Sequence, residues 1–284
     1  MRRIVIIGGG FAGVTLAQHL ERRVPADLDV VVVSAENHLV FSPLLAEAAG
    51  RSISPMHLVV AGRQMLTRAQ WLTARVADLA LRDHVLHYRT PDGTRGSLVY
   101  DQLVLACGSD VDLDAVPGML AYPYPVKTLG DAIVLGNDLI GRLEEAAAVP
   151  DPVERRRLLT VVVIGGGFSG VEVAGQMREL MERTRRFYPR LASDRVRIVV
   201  VPRGERILPE LNASSLSDFA LSKMPQHGIE VTNRVIILWV CAILDEGNRS
   251  WASPQILAPQ CPSPSFSCLD LPLACPWSLI SPFW

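Results

Sequence analysis

One ten-residue pattern occurs twice in the chain. Ile4-Val-Ile-Ile-Gly-Gly-Gly-Phe-Ala-Gly13 returns as Val161-Val-Val-Ile-Gly-Gly-Gly-Phe-Ser-Gly170, and the likeness continues through Val14 and Val171 and through Ala17 and Ala174. In each copy an apolar run enters the glycines and a helical pattern leaves them, with Val14, Leu16, Ala17 and Leu20 in the first and Val171, Val173, Ala174, Met177 and Leu180 in the second. Both copies read as strand, turn and helix. A second apolar run follows in each half, at 28–33 and at 196–201, where the next parallel strand of a right-handed βαβ unit belongs. The predicted fold class is α/β with two Rossmann-like dinucleotide-binding domains.

The spacing of the glycines carries chemistry. Gly8, Gly10 and Gly13 satisfy G-x-G-x-x-G. In such a turn one glycine allows the sharp bend, one removes a side chain where a pyrophosphate must reach the backbone, and one lets helix and strand pack closely. The helix N-terminus then offers free N–H groups and a positive dipole end to phosphates. Glu36, 23 positions past Gly13 and at the end of the second strand, is placed to accept hydrogen bonds from ribose hydroxyls. Gly165, Gly167 and Gly170 repeat the pattern, but there the strand is followed by Pro202-Arg-Gly-Glu205. No carboxylate sits where ribose recognition would want it; Arg203 suits a 2′-phosphate, hence NADPH, or is a solvated loop arginine, and Glu205 is an alternative ribose acceptor only if the register is shifted. A single such motif can be only a glycine-rich turn between strand and helix. Two matched copies point to a pair of dinucleotides, one held permanently and one exchanging, and so to hydride transfer from nicotinamide to flavin. Thr15 of the first copy is replaced by Glu172 in the second. On the first helical turn that acid either stands where nicotinamide ribose and flavin meet or complements the helix dipole, an effect of about 0.3–1 kcal/mol.

Composition limits the alternatives. The 284 residues allow two domains, and 28 Lys plus Arg against 29 Asp plus Glu leave a net charge of -1, no excess with which to hold nucleic acid. At 49% hydrophobic and 20% charged residues the chain is globular, and no apolar run approaches the roughly 18 residues of a membrane-spanning helix. The start, Met1-Arg-Arg followed by a strand and glycines, is not a signal-peptide core, so a cytoplasmic location is expected. Of the five cysteines only Cys107 precedes residue 240, and no C-x-x-C pair exists, which argues against a disulfide framework. His84 and His87 lack a third ligand, so no metal site is expected. The basic runs 155–157 and 183–186 read as solvated faces.

Between the copies, 101–108 reads as a buried strand ending in glycine, 117–125 as a connector and 130–148 as a helix broken by Pro150-Asp-Pro152. Beyond residue 235 the charges thin to Asp245, Glu246, Arg249 and Asp270, four of the five tryptophans appear, and neither helical nor alternating periodicity survives. Cys261, Cys268 and Cys275 recur every seven residues there, but prolines exclude a heptad helix. That stretch is either an apolar tail or a departure from the reading frame of a longer parent, and the second reading is preferred.

The glycine turns, with Glu36-Asn-His-Leu-Val-Phe-Ser-Pro-Leu-Leu45, Tyr100-Asp-Gln-Leu-Val-Leu-Ala-Cys-Gly108, Val126-Lys-Thr-Leu-Gly-Asp-Ala132 and Val162-Val-Ile-Gly-Gly-Gly-Phe-Ser-Gly-Val-Glu-Val-Ala-Gly175, resemble the type II NADH dehydrogenases, flavoproteins of the two-dinucleotide-binding-domain superfamily, over residues 1–234. The resemblance implies an FAD domain over 1–125, a connector over 126–154, an NAD(P)H domain over 155–235 and an atypical tail over 236–284. FAD would be held by Gly8, Gly10, Phe11, Ala12, Gly13 and Glu36, with backbone near Val76 and from Ala106 to Gly108 closing on it. NADH, or NADPH, would be held by Gly165, Gly167, Ser169, Gly170 and Glu172, with Glu172 beside the nicotinamide as the catalytic candidate. The implied reaction passes hydride to the flavin and then electrons to a quinone. The redox cysteine pairs of related disulfide reductases, and the cysteines of sulfide:quinone reductases, are missing. A ferredoxin-type NAD(P)H reductase, or a non-catalytic nucleotide-binding fragment, stands as the alternative. Family members return after the nicotinamide domain to complete the FAD domain and to build the quinone site and membrane anchor. No such segment follows Ile236, so the FAD domain is expected to be incomplete at its C-terminal side. The resemblance further implies peripheral contact with the inner face of the cell membrane and is compatible with a homodimer.

Overall fold

The valine- and isoleucine-rich runs that enter the glycine turns form strands buried on both faces, the place for which β-branched residues are suited. The computed structural model describes residues 2–23, 28–113, 124–212 and 214–232, and the backbone of three short strands beyond them. Along the chain run β1 (Arg2–Ile7), α1 (Phe11–Arg23), β2 (Leu28–Ser34), β3 (His38–Val40), α2 (Leu45–Ala49), β4 (Val59–Ala61), α3 (Gly62–Met65) and β5 (Gln70–Thr73). Next come β6 (Arg75–Ala80), β7 (Val85–Arg89), β8 (Arg95–Val99), β9 (Gln102–Leu105), β10 (Tyr124–Pro125), α4 (Leu129–Ala148) and α5 (Pro152–Leu158). The second copy supplies β11 (Thr160–Ile164), α6 (Phe168–Arg185) and β12 (Arg197–Val201), followed by α7 (Ser214–Lys223) and β13 (Ile229–Val231). The three short strands are β14 (Cys241–Ala242), β15 (Pro254–Gln255) and β16 (Ser278–Ser281).

Two compact units result, one of Met1–Phe41 and Met56–Ser109, the other of Ser42–Pro55 with the described residues from Asp110 onward. In the first unit a parallel sheet is ordered β5-β2-β1-β9, with Ile4 opposite Val30 and Ile6 opposite Val32. Alternation along β1 divides the core. Ile4 and Ile6 pack with Val14 and Ala17 of α1, Val30, Val32 and Trp71. Val5 and Ile7 pack on the other face with Val31, Val33, Ala74, Leu86 and Tyr100, where the antiparallel meander β6-β7-β8 covers the sheet. Each such aliphatic side chain contributes about 1.5–3 kcal/mol on burial. The strand expected at 101–108 is shorter and not buried. Gln102–Leu105 lies at the border of the described sheet, pairs on one side with β1, and leaves Leu105 65% exposed.

In the second unit the parallel order is β10-β16-β11-β12-β13. The helix expected over 130–148 is α4, closed at its start by a capping box in which Thr128 Oγ1 accepts from Asp131 N–H (3.1 Å) and Asp131 Oδ2 from Thr128 N–H (2.7 Å). Its buried stripe is Ala132, Leu135, Gly136, Leu139, Leu143 and Ala146. Pro150-Asp-Pro152 does more than break this helix, because Asp151 caps the next one, α5, with Pro152 in its first turn. Strand β16 lies between β10 and β11 although its sequence carries no periodicity to announce it. The connector at 117–125 falls mostly, and the seven-residue cysteine period wholly, outside the described residues.

Candidate functional site

In the first unit each glycine of the turn answers to a different contact. Gly8 has φ +115°, donates its N–H to Val33 O (2.9 Å), and has no room for a Cβ, which would lie 2.1 Å from Ala106 O. A Cβ on Gly13 would lie 1.9 Å from Gly8 O, so close approach of α1 to the turn requires glycine. Over Gly10 the space is open, with nothing among the described residues within 4 Å of a Cβ. Bend, close packing and open approach are thus divided as a phosphate-binding turn divides them. Phe11 and Ala12 are exposed at the start of α1, and Phe11 meets Phe41 edge-on, with ring centroids 5.6 Å apart. Ala106 donates its N–H to Ile7 O (2.7 Å), and Gly108, φ +71°, ends the segment in the open. Val76 is half-buried on β6 against the core face that holds Ile7 and Val33. Glu36 is exposed two residues past β2.

The second unit repeats this backbone closely. Gly165 has φ +122° and donates to Val201 O (2.9 Å), and Val171 N–H reaches Gly167 O (3.1 Å) as Val14 N–H reaches Gly10 O (3.0 Å). Ser169 is half-buried and Gly170 is buried in the first turn of α6. What stands over the middle glycine differs, for a Cβ on Gly167 would lie 2.6 Å from Glu210 Oε1. Arg203 and Glu205 are both exposed. Glu172 is the fifth residue of α6, which begins at Phe168, so it stands at the start of the second turn and not on the first as expected. Its complement to the helix dipole is correspondingly weaker, because that field fades within a turn. Crowding by surrounding atoms, and then the charge of Glu47 on α2, hold its carboxyl above the usual carboxylate range although part of it meets solvent. The second unit brings α2 onto α6 through Gly50, where a Cβ would lie 2.5 Å from Gln176 Oε1, and through Ser52 Oγ, which donates to the same oxygen (2.6 Å).

The model of the pyridine nucleotide-disulphide oxidoreductase family matches residues 2–237. The chain belongs to that family. Type II NADH:quinone oxidoreductase Ndh of Mycobacterium tuberculosis is 29% identical over 240 residues, which are 81% of this chain and 49% of that protein. NdhA of the same organism is 32% identical over 213 residues, 74% of this chain and 44% of that one. The chain therefore spans about half the length of the curated relatives it matches. Among solved structures, NDH2 from Plasmodium falciparum superposes with a TM-score of 0.79 at 21% identity, over 99% of this chain and 54% of that one. A likeness at that identity establishes the fold.

Several residues at the turns escape a reading by motif. Trp71 is buried with its ring against Gly9 and Gly62, where Cβ atoms would lie 2.4 and 2.5 Å from it, and its indole N–H has no partner among the described residues. Glu21, at the far end of α1, is buried and accepts the N–H groups of Thr67 (3.0 Å), Arg68 (2.7 Å) and Ala69 (2.9 Å) at one oxygen, tying the helix to the loop before β5. Neither belongs to a local pattern. Among the described residues no helix is long and apolar enough to cross a membrane, and no three His, Cys, Asp or Glu side chains stand together as metal ligands.

Proposed function

We propose that this chain is the nucleotide-binding portion of an FAD-dependent NAD(P)H:quinone oxidoreductase. The open approach over Gly10, in a turn otherwise packed tight, is the observation that carries the reading. The residues at the first turn fit FAD. Backbone N–H groups at the start of α1 would face its pyrophosphate, Glu36 its ribose, and Val76 with Ala106 to Gly108 its remaining length. Gly165, Gly167, Ser169, Gly170 and Glu172 would hold NADH or NADPH. FAD, when bound, supplies an acceptor for the nicotinamide hydride and passes electrons onward to the quinone. The protein's own share is to position both nucleotides and to set the charge beside the nicotinamide through Glu172. The names of the Mycobacterium tuberculosis relatives support a quinone as acceptor.

The proposed domains are 1–125 for FAD, 126–154 as connector and 155–235 for NAD(P)H, with 236–284 outside both. A peripheral position on the inner face of the cell membrane and a homodimer belong to the same reading. A second reading is favoured by one fact, the half-length match to the curated relatives, and makes the chain a nucleotide-binding fragment without turnover. The visible absorption spectrum of the purified chain, before and after anaerobic addition of NADH, decides between them. A flavin spectrum that bleaches is the expected result. A colourless protein that FAD does not reconstitute would overturn the first reading and leave the second.

A further inference from the structure

The two glycine turns share their dihedrals and hydrogen bonds but not the space above them. Gly10 faces nothing within 4 Å among the described residues, whereas the Cβ direction of Gly167 meets Glu210 Oε1 at 2.6 Å and Glu210 Cδ at 3.5 Å. In a dinucleotide-binding turn that direction is the one from which pyrophosphate reaches the backbone. We propose that Glu210 is a built-in competitor for the second cradle, its carboxylate resting over Gly167 in the nucleotide-free protein and swinging out when the phosphates of a dinucleotide enter. This rests on reading the second turn as a dinucleotide cradle, and it adds what regulates entry there.

The local structure suits such a device. Helix α6 has Gly167 as its N-cap, so the N-cap residue brings no side chain to the positive dipole end. A nearby carboxylate is an electrostatic substitute. The backbone that carries Glu210 is anchored, since Leu208 N–H donates to Gly166 O (2.5 Å), Leu211 N–H to Leu208 O (3.1 Å), and Ser217 Oγ to Ile207 O (2.6 Å). Ile207 and Leu208 are buried. Glu210 itself is exposed and its carboxylate holds no hydrogen bond or ion pair among the described residues, so it can rotate away without breaking one. Carboxylate and pyrophosphate exclude each other by volume and repel by charge. An internal competitor weakens the bound dinucleotide and hastens its departure. Among the described residues no such group stands over Gly10 of the first turn. The asymmetry matches a chain that keeps one nucleotide and exchanges the other.

The test titrates NADH, followed by its own fluorescence, into the full chain and into Glu210→Gln and Glu210→Ala. Glu179→Gln removes one negative charge from the exposed face of the same helix as a control. Both Glu210 variants should bind NADH about fivefold tighter, the fold-change equivalent to removing about 1 kcal/mol of helix–carboxylate attraction, while Glu179→Gln binds as the parent does. Without nucleotide, Glu210→Gln should melt lower than the parent, because the helix end has lost its counter-charge. Tighter binding with lower intrinsic stability is a combination that a merely structural glutamate does not produce. Equal or weaker NADH binding by both folded Glu210 variants would overturn the proposal while leaving the cradle intact. NADH binding by none of the chains would overturn the cradle reading, and the proposal with it.

Discussion

Replacing Gly13 by alanine and replacing Gly10 by alanine should have opposite consequences, although both residues belong to one motif. A Cβ on Gly13 would lie 1.9 Å from Gly8 O, where an unstrained carbon–oxygen contact needs about 3.3 Å. Helix α1 must then retreat by more than an ångström, or the Gly8 carbonyl must turn. Either movement opens the packing of Val14 and Ala17 on Ile4, Ile6, Val30 and Val32. Overpacking of this kind costs about 1–3 kcal/mol, lost dispersion adds to it, and the better helix propensity of alanine returns about 1 kcal/mol. A net loss of about 2 kcal/mol, or about 4–8 °C in melting temperature, is expected for Gly13→Ala. Gly10→Ala places its Cβ in open space at a residue without positive φ, so its stability should stay within about 0.5 kcal/mol of the parent. On the proposed reading of Gly10 as part of the FAD turn, that same Cβ fills the approach of the pyrophosphate, so the variant should purify without flavin. Thermal and urea denaturation report the first quantity, and visible absorbance the second. A Gly13→Ala variant that melts with the parent, or a Gly10→Ala variant destabilised as much as Gly13→Ala, would refute the division of roles.

Two carboxylates give tests of opposite pH sign. Burial raises the Glu21 carboxyl, but the N–H groups of Ala69, Arg68 and Thr67 overrule it and hold the group below the usual range. Its contribution is complete above the ordinary carboxylate range and is lost as pH falls through the lowered value. Glu21→Ala, which leaves those N–H groups unpaired, should cost about 3 kcal/mol at neutral pH and less in acid, measured by urea unfolding across pH. An equal loss at every pH would contradict the assignment. Glu172 behaves in reverse. Crowding by surrounding atoms and then the charge of Glu47 raise its carboxyl, so the fold retains this proton longer than the unfolded chain does, and stability falls modestly, since the group is exposed, as pH rises from the ordinary carboxylate range through the raised value. Glu172→Gln should remove that fall, and if Glu172 stands beside the nicotinamide it should also slow flavin reduction by NADH in stopped flow without releasing FAD. Unchanged reduction kinetics would sink that placement.

Local pattern made β1, α1, β2, β11, α6 and β12 legible, because alternation, helical spacing and glycine punctuation act between near neighbours and need no knowledge of the rest of the fold. Helix α4 was legible from its helical pattern over 130–148, whereas the capping box of Thr128 and Asp131 that closes its start was not read from the sequence. The meander β6-β7-β8 was not. Its strands alternate weakly, and what selects them is the second face of the β1–β2 sheet, which has to be covered. Strand β9 has a sequence as apolar as a central strand, yet it lies at the border of the described sheet, and a run of apolar residues does not state its position in a sheet.

By itself, then, the sequence determined that two strand–turn–helix units would form and where each would place its glycine turn, since glycine spacing and β-branched runs are local instructions. Only the tertiary structure decided what stands around those turns. Trp71 comes to rest on Gly9, Ala106 closes on Gly8, Glu47 comes near enough to Glu172 to raise its carboxyl, and Glu210 stands over Gly167. These neighbours are brought together by packing across tens of residues, and it is distance in space, not order in the chain, that sets steric exclusion and the strength of a charge.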